Sequence, residues 1–300
     1  MDWLQISIET ATPEPAEDCL LESGAVAVTL ADAADQPLLE PLPGTTPLWD
    51  RVMVTGLFPS DQDPDAIKRA LQSGLHLATP PDCRITLLED RDWVRAWMER
   101  YEPLRFGERL WICPHHHEVQ VADAIVVKLD PGLAFGTGTH PTTALCLQWL
   151  DQADLKGKAV VDYGCGSGIL AIAAAMLGAA SVIAVDIDPQ ALAATADNAQ
   201  RNGVSERIQV GLPDDIPELG KQRQADIVIA NILAGPLQEL APQLQGLLND
   251  PGQLVLAGLL DTQMQDVQQS YAEHIQWQTP AKLEGWTRLN GQLDTKGAAT

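Results

Sequence analysis

Apolar and polar positions in the first ninety residues form short alternating runs, separated by two runs with helical spacing. The alternating runs predict strands, since successive side chains of a strand point to opposite faces: WLQISIE (3–9), AVAVTL (25–30), RVMVTGLF (51–58) and CRITLLE (83–89). Helices are predicted after Thr12 and after Asp63, where a capping residue precedes a proline. The order β-α-β-β-α-β is typical of a ferredoxin-like α+β fold, so residues 1–89 are predicted to form one small domain.

Residues 90–122 follow neither pattern and are interpreted as a helical and extended linker. DRDWVRAWMERY (90–101) places two tryptophans four positions apart on one helical face, which favours packing against a neighbouring domain. RFGERLWICP (105–114) predicts an extended connector. CPHHHE (113–118) predicts a solvated loop and no metal site, because adjacent histidines in an extended segment point to opposite sides and no second ligand pair follows.

From residue 123 to residue 300, strands alternate with helices. Predicted strands are KAVVDYG (158–164), SVIAVDID (181–188), RIQVG (207–211), ADIVIAN (225–231), QLVLAG (253–258), HIQWQ (274–278) and WTRLNGQL (286–293). Helical patterns stand between them, one opening at Gly168. The alternation predicts a doubly wound, Rossmann-like α/β domain, and its last two strands form a pair with no helix between them.

Length and charge narrow the possible functions. Three hundred residues suggest two domains, and no apolar run is long enough for a membrane span. The start of the chain lacks the features of a signal peptide, so a cytoplasmic location is expected. The net charge of −22, from 41 acidic and 19 basic residues, disfavours direct nucleic-acid binding and would attract a basic protein partner. Five scattered cysteines are expected to be reduced thiols.

The stretch VVDYGCGSGILAIAA (160–174) indicates a ligand. Gly164, Gly166 and Gly168 form a GxGxG turn, shorter than the GxGxxG turn that places a helix N-terminus against a pyrophosphate. Asp186 ends the next predicted strand, at the distance where an acid accepts hydrogen bonds from ribose hydroxyls. The pair predicts a nucleoside-containing ligand without pyrophosphate, which S-adenosylmethionine fits better than NAD.

Two further segments add to this site. LDPGLAFGTGTHPTT (129–143) combines small residues with a helix start around Pro141 to Thr143, and it predicts a loop that closes over a bound cofactor. NILAGP (231–236) follows a strand at its carboxyl end, where open α/β sheets place their ligands. Asn231 could cap the following helix, or it could position a substrate amine through its side-chain carbonyl.

These segments, together with RFGERLWICP and VDIDPQA, resemble the PrmA family of bacterial ribosomal protein L11 methyltransferases over essentially the whole chain. The resemblance implies a class I, Rossmann-like methyltransferase domain preceded by a small ferredoxin-like domain that recognises the substrate. It implies S-adenosylmethionine as the cofactor, with contacts from Thr143, Gly164, Asp186 and Asn231, and Gly166 is predicted to let the cofactor approach the turn. The implied reaction methylates lysine ε-amino groups and the N-terminal α-amino group of a basic large-subunit protein, by a monomeric enzyme.

Other functions stay open at this point. The methyl acceptor could be a different protein or an exocyclic amine of a nucleic acid, since an asparagine after the fourth strand suits both. A nicotinamide oxidoreductase is disfavoured by the short glycine turn, and a non-catalytic acidic adaptor is disfavoured by an intact cofactor pocket. The residues identify no general base, and Asn231 is the one candidate for a role at the reacting amine.

Overall fold

The computed structural model describes residues 2–34, 36, 45–89, 101–130, 136, 138–216, 225–271 and 275–293. The chain divides into two compact units, Met1–Ala96 and Trp97–Thr300. The helix predicted over 90–101 lies outside the described residues except for its last position. Within the described ranges, no helix is both long and apolar enough to cross a membrane.

The first unit has the predicted ferredoxin-like topology. Its elements in chain order are β1 (Trp3–Thr10), α1 (Pro13–Glu22), β2 (Ala27–Asp32), β3 (Val52–Pro59), α2 (Pro64–Gly74) and β4 (Cys83–Leu88). The sheet order is β2-β3-β1-β4, and every pair is antiparallel. Alternate strand residues such as Ile6 and Val54 are fully buried in one core with Leu20 of α1 and Leu71 of α2. The face of the sheet on which these strand residues lie is therefore the face that the two helices cover.

The two predicted helix caps of this unit differ in outcome. Asp63 caps α2, because its carboxylate accepts a hydrogen bond from the Asp65 N–H at 2.9 Å. Thr12 stands at the corresponding position of α1, but its side chain makes no capping hydrogen bond. The start of α1 is therefore favoured by the fixed φ of its first-turn proline and not by a hydrogen bond from the threonine hydroxyl.

The second unit opens with a small sheet where an extended connector was expected. RFGERLWICP contributes β5 (Leu104–Phe106) and β6 (Leu110–Cys113), and β6 pairs in parallel with β7 (Ile125–Lys128). The turn between β5 and β6 is held by the buried carboxylate of Asp151, which accepts hydrogen bonds from the N–H groups of Glu108 and Leu110 at 2.5 and 3.1 Å. These strands are therefore part of the second unit and share its core.

The main sheet confirms the predicted doubly wound α/β domain. Its strands are β8 (Ala159–Tyr163), β9 (Ser181–Val185), β10 (Ile208–Gly211), β11 (Ala225–Asn231), β12 (Leu248–Leu260), β13 (Ile275–Trp277), β14 (Ala281–Leu283) and β15 (Trp286–Leu293). The helices are α3 (Pro141–Gln152), α4 (Ile169–Met176), α5 (Pro189–Arg201), α6 (Ala234–Glu239), α7 (Ala241–Gly246) and α8 (Met264–Ser270).

The strand order locates the ligand-binding edge. The sheet runs β10-β9-β8-β11-β12-β15-β13, with β14 also paired to β15, and the five strands from β10 to β12 are parallel. The last strand, β15, is antiparallel to both β12 and β13, which confirms the predicted closing strand pair. Strand order reverses direction between β8 and β11, and open α/β sheets bind ligands at the carboxyl ends beside such a switch point.

Candidate cofactor site at the carboxyl edge of the sheet

The glycine turn after β8 is a backbone conformation that only glycine adopts readily. Gly164, Gly166 and Gly168 have φ values of +82°, +55° and +79°. A Cβ on Gly164 would stand 2.3 Å from Cγ2 of Ile232, and one on Gly168 would stand 2.8 Å from Cγ2 of Thr195. Both positions therefore need glycine for the turn to form.

The predicted carboxylate lies beside this turn. Asp186 follows β9, and its Oδ2 accepts a hydrogen bond from the Gly166 N–H at 2.9 Å while Oδ1 accepts one from the Asp188 N–H at 3.0 Å. Each carboxylate oxygen has two lone pairs, so both oxygens retain the capacity to accept a further hydrogen bond. The structure thus brings Gly166 and Asp186 together, twenty positions apart in the sequence.

Asn231 and Thr143 also meet at this edge. Asn231 ends β11 and donates from Nδ2 to the hydroxyl of Thr143 at 3.3 Å, and Thr143 is fully buried in the first turn of α3. The carbonyl oxygen of Asn231 is buried and has no hydrogen-bond partner among the described residues. Because a buried acceptor without a donor costs free energy, this oxygen is a candidate to accept a hydrogen bond from a bound ligand.

The start of α3 differs from the prediction in one detail. The capping residue is His140, whose Nδ1 accepts a hydrogen bond from the Thr142 N–H at 3.3 Å and lies 2.7 Å from the Thr142 hydroxyl. Burial lowers the pKa of His140 below its ordinary value, although Glu284 acts in the opposite direction. A neutral imidazole has a nitrogen lone pair for this capping bond.

A buried carboxylate beneath the turn was not predicted. Gly168 has no side chain to cap α4, and Asp162 of β8 supplies the acceptor, with Oδ2 3.0 Å from the Ala171 nitrogen. Burial raises the pKa of Asp162 to about 7, and the charge of Asp186 acts in the same direction. In the described part of the chain, its Oδ1 has no hydrogen-bond partner.

Three exposed apolar side chains at the same edge were also missed. Ile187, Leu212 and Leu233 directly follow the ends of β9, β10 and β11, or lie one residue further on, and are 82%, 43% and 53% exposed. Each is an apolar residue at or just after the end of a predicted strand. That position in the sequence could have been used to predict these side chains as part of the site. They provide apolar surface for a flat ligand ring beside the polar groups.

Part of the predicted closing loop, LDPGLAFGTGTHPTT (129–143), lies outside the described residues. These positions are 131–135 and 137. The Gly136 carbonyl oxygen accepts a hydrogen bond from the Ser167 hydroxyl at 2.6 Å, which ties this segment to the glycine turn.

The glycine turn contains a buried cysteine, Cys165, and a tract of three histidines follows β6. Burial raises the pKa of Cys165 to about 12, so its thiol is protonated at neutral pH and is a poor nucleophile. His115 pairs with Asp130 at 3.0 Å, and the rings of His116 and His117 lie 4.4 Å apart, so those two neighbours do not point to opposite sides as expected. Within the described ranges, no group of three or more potential ligands could hold a metal ion.

The sheet order, the short glycine turn and the carboxylate on the next strand define a Rossmann-like methyltransferase of class I. The family model for ribosomal protein L11 methyltransferase (PrmA) matches residues 2–294, and the chain belongs to this family. Membership confirms the predicted enzyme class and the predicted cofactor, S-adenosylmethionine.

Individual relatives agree with the family model over both units. The chain is 52% identical over 296 residues to a ribosomal protein L11 methyltransferase of Vibrio cholerae, covering 97% of this chain and 99% of that protein. A protein of the same name from Pseudomonas aeruginosa is 52% identical over 298 residues with the same coverage. The crystal structure of a ribosomal protein L11 methylase from Lactobacillus delbrueckii is 34% identical and covers 65% of this chain and all of that one, with a TM-score of 0.59.

Proposed function

We propose that this protein transfers methyl groups from S-adenosylmethionine to amino groups of ribosomal protein L11, at lysine side chains and at the N-terminus. The observation that carries the proposal is the match to L11 methyltransferases over 97% of the chain, because it includes both the methyltransferase domain and the first unit. A methyltransferase domain joined to an unrelated first domain would have pointed to a different substrate.

The cofactor is assigned to the carboxyl edge of the main sheet. Gly164 and Gly166 leave room beside the turn, the Asp186 carboxylate accepts hydrogen bonds from the ribose hydroxyls, and Thr143 borders the methionine end. Ile187 supplies an exposed apolar surface for the adenine ring. The fit is supported by the Asn231 side-chain oxygen, which is buried and has no hydrogen-bond partner among the described residues.

Bound S-adenosylmethionine supplies a methyl group on a sulfonium, which is electrophilic without a metal ion. The protein's task is to present a neutral amine, since a free lysine has a pKa of about 10.4 and is almost fully protonated at neutral pH. Burial of the amine at this edge lowers its pKa and favours the neutral form. The Asn231 Oδ1 accepts a hydrogen bond from the amine and orients its lone pair, and water takes the released proton.

The first unit is assigned to substrate recognition by its charge. Residues 1–96 contain 17 acidic and 6 basic residues, so half of the net charge lies in a third of the chain. α1 alone exposes Glu14, Asp18 and Glu22 and contains no basic residue. An acidic surface steers a basic ribosomal protein toward the enzyme. In this scheme residues 1–89 recognise the substrate, and the second unit, which includes β5 and β6 of the predicted linker 90–122, carries out the transfer.

Three further features belong to the same proposal. The enzyme acts as a monomer, it works in the cytoplasm where ribosomal proteins are made, and it does not bind nucleic acid directly. The net charge of −22 supports the last of these, because binding a phosphate backbone depends on lysine and arginine.

One experiment tests the substrate without assuming it. The purified protein is incubated with S-adenosylmethionine carrying a radiolabelled methyl group and with an extract of ribosomal particles, and the labelled species is identified. We expect label in L11. Label confined to RNA, or to a different ribosomal protein, would replace the proposed acceptor.

A further inference from the structure

One face of α5 carries three polar side chains that bind the backbone of other elements. Thr195, Asn198 and the C-capping residue Asn202 are spaced three and four positions apart, which places them on the same helical face. The Thr195 hydroxyl donates to the Gly166 carbonyl oxygen at 3.0 Å, and Asn198 Nδ2 donates to the Ser167 carbonyl oxygen at 2.9 Å. Thr195 and Asn198 therefore bind the backbone of the glycine turn through its carbonyl oxygens.

Asn202 holds a different segment, the end of β7. Its Oδ1 accepts a hydrogen bond from the Lys128 N–H at 2.7 Å, and its Nδ2 donates to the Lys128 carbonyl oxygen at 2.8 Å. The second hydrogen of Nδ2 goes to the Asn198 carbonyl oxygen, also at 2.8 Å. In the described sheet β7 pairs with β6 alone, so the Asn202 carboxamide takes the place of a neighbouring strand on the other side of Lys128.

These contacts join both parts of the cofactor site to one helix. Lys128 directly precedes the segment 129–143, which ends at the cofactor residue proposed above, Thr143. Within the segment, the Gly136 carbonyl oxygen accepts a hydrogen bond from the Ser167 hydroxyl, and the Ser167 carbonyl oxygen is itself bound by Asn198. The α5 face is thus linked to Lys128, just before the segment, and to Gly136, within it.

We propose that Asn202 is a positioning residue for methyl transfer, which sets the end of β7 and, together with Asn198 and Ser167, Gly136 at the correct distance from the glycine turn. The proposal rests on the assignment of the cofactor to this edge. Because Asn202 uses one acceptor and two donors at once, the role needs a carboxamide of this length. Aspartate has nearly the same shape but has no donor, and its oxygen would face the Lys128 carbonyl oxygen.

The test compares Asn202→Ala and Asn202→Asp with Gln200→Ala, a control at an exposed position of the same helix. Calorimetry gives the Kd for S-adenosylmethionine, and steady-state rates on L11 give kcat and KM, all well below the melting temperature. We expect Asn202→Ala to raise the Kd and KM for the cofactor about tenfold, as the loss of three side-chain hydrogen bonds can, with a smaller change in kcat. Gln200→Ala should match wild type.

Asn202→Asp separates positioning from packing. If the residue only fills space, the nearly isosteric aspartate should bind the cofactor like wild type. Aspartate keeps the hydrogen bond from the Lys128 N–H, but its second oxygen would repel the Lys128 carbonyl oxygen. We therefore expect Asn202→Asp to be at least as impaired as Asn202→Ala. Wild-type Kd and KM in either variant would overturn the proposal, while failure of the wild-type protein to bind S-adenosylmethionine would instead overturn the site assignment.

Discussion

At the scale of a single residue, the Asp186 carboxylate accepts backbone hydrogen bonds from Gly166 and Asp188, and we propose that it accepts hydrogen bonds from the ribose hydroxyls as well. We expect Asp186→Ala to weaken S-adenosylmethionine binding by about 1–3 kcal/mol, the usual cost of losing hydrogen bonds to a charged acceptor. Calorimetry on the folded variant measures this. The control is Asp197→Ala, an exposed carboxylate of α5, and equal affinity in the two variants would remove Asp186 from the ribose site.

Gly164 is constrained both by its backbone angle and by Ile232. We expect Gly164→Ala to lower the free energy of unfolding by about 2–4 kcal/mol, from the left-handed φ and from the contact with Ile232 Cγ2. Urea denaturation measures this loss. In an Ile232→Ala background the same substitution should cost about 1–2 kcal/mol, because only the φ term remains. An equal cost in both backgrounds would show that the side-chain contact contributes nothing.

Sequence reasoning identified the residues whose chemistry and position carry a local signal. The glycines and Asp186 were predicted because a strand, a turn and an acid on the next strand are readable along the chain. Asp162 and Asn202 were missed because their roles depend on contacts with other elements. Asp162 binds the Ala171 N–H of the next helix, and Asn202 binds Lys128, which is 74 positions away. No local pattern indicates that a strand carboxylate will cap a helix whose own capping residue is a glycine.

At the scale of elements, the buried Asp162 at the junction of β8 and α4 makes the free energy of unfolding depend on pH. Asp162 has a folded-state pKa of about 7 against an ordinary value of 3.8, so the folded protein holds a proton that the unfolded chain releases between these values. Stability contributed by this group is therefore present below about pH 4 and is lost as the pH rises toward 7.

Asp162→Asn should remove this dependence while keeping an acceptor for the Ala171 N–H. Between about pH 5 and pH 8, we expect the unfolding free energy of wild type to fall relative to that of the variant by about 2–3 kcal/mol. Urea titrations of both proteins at the two pH values measure the difference. Parallel pH profiles would mean that Asp162 is ionised throughout, contrary to the effect of its burial.

Elements with a long run of patterned apolar residues were predicted well, and several strands of three or four residues were missed. The four strands of the first unit and every strand of the main sheet except the three-residue β14 were each predicted from an apolar run. The hairpin of β5 and β6 was interpreted as a connector because its strands have three and four residues. It forms through the Asp151 carboxylate, more than forty positions away, and such a long-range contact leaves no periodic signal.

At the scale of the whole molecule, we propose that the acidic first unit attracts the basic substrate to the enzyme. We expect the triple variant Glu14→Gln, Asp18→Asn, Glu22→Gln to raise the KM for L11 about threefold to tenfold at low salt, and to have less effect at high salt, because electrostatic steering is screened. Its kcat and cofactor affinity should stay near wild type, as the substitutions lie in α1.

A matched triple variant with Asp197→Asn, Glu206→Gln and Glu239→Gln changes the net charge equally, at exposed positions of the second unit. It should leave the KM for L11 close to wild type. If both triples raise the KM alike, the attraction comes from total charge, and the first unit has no special part in recognition.

The central claim is that the carboxyl edge of the main sheet delivers a methyl group from S-adenosylmethionine to amines of L11. Mass spectrometry of purified L11, after incubation with this protein and S-adenosylmethionine deuterated at the methyl group, tests it most directly. The claim predicts deuterated methyl groups on lysine side chains and on the N-terminal amine. Recovery of L11 with no deuterium, from a reaction in which the enzyme is folded and binds the cofactor, would contradict it.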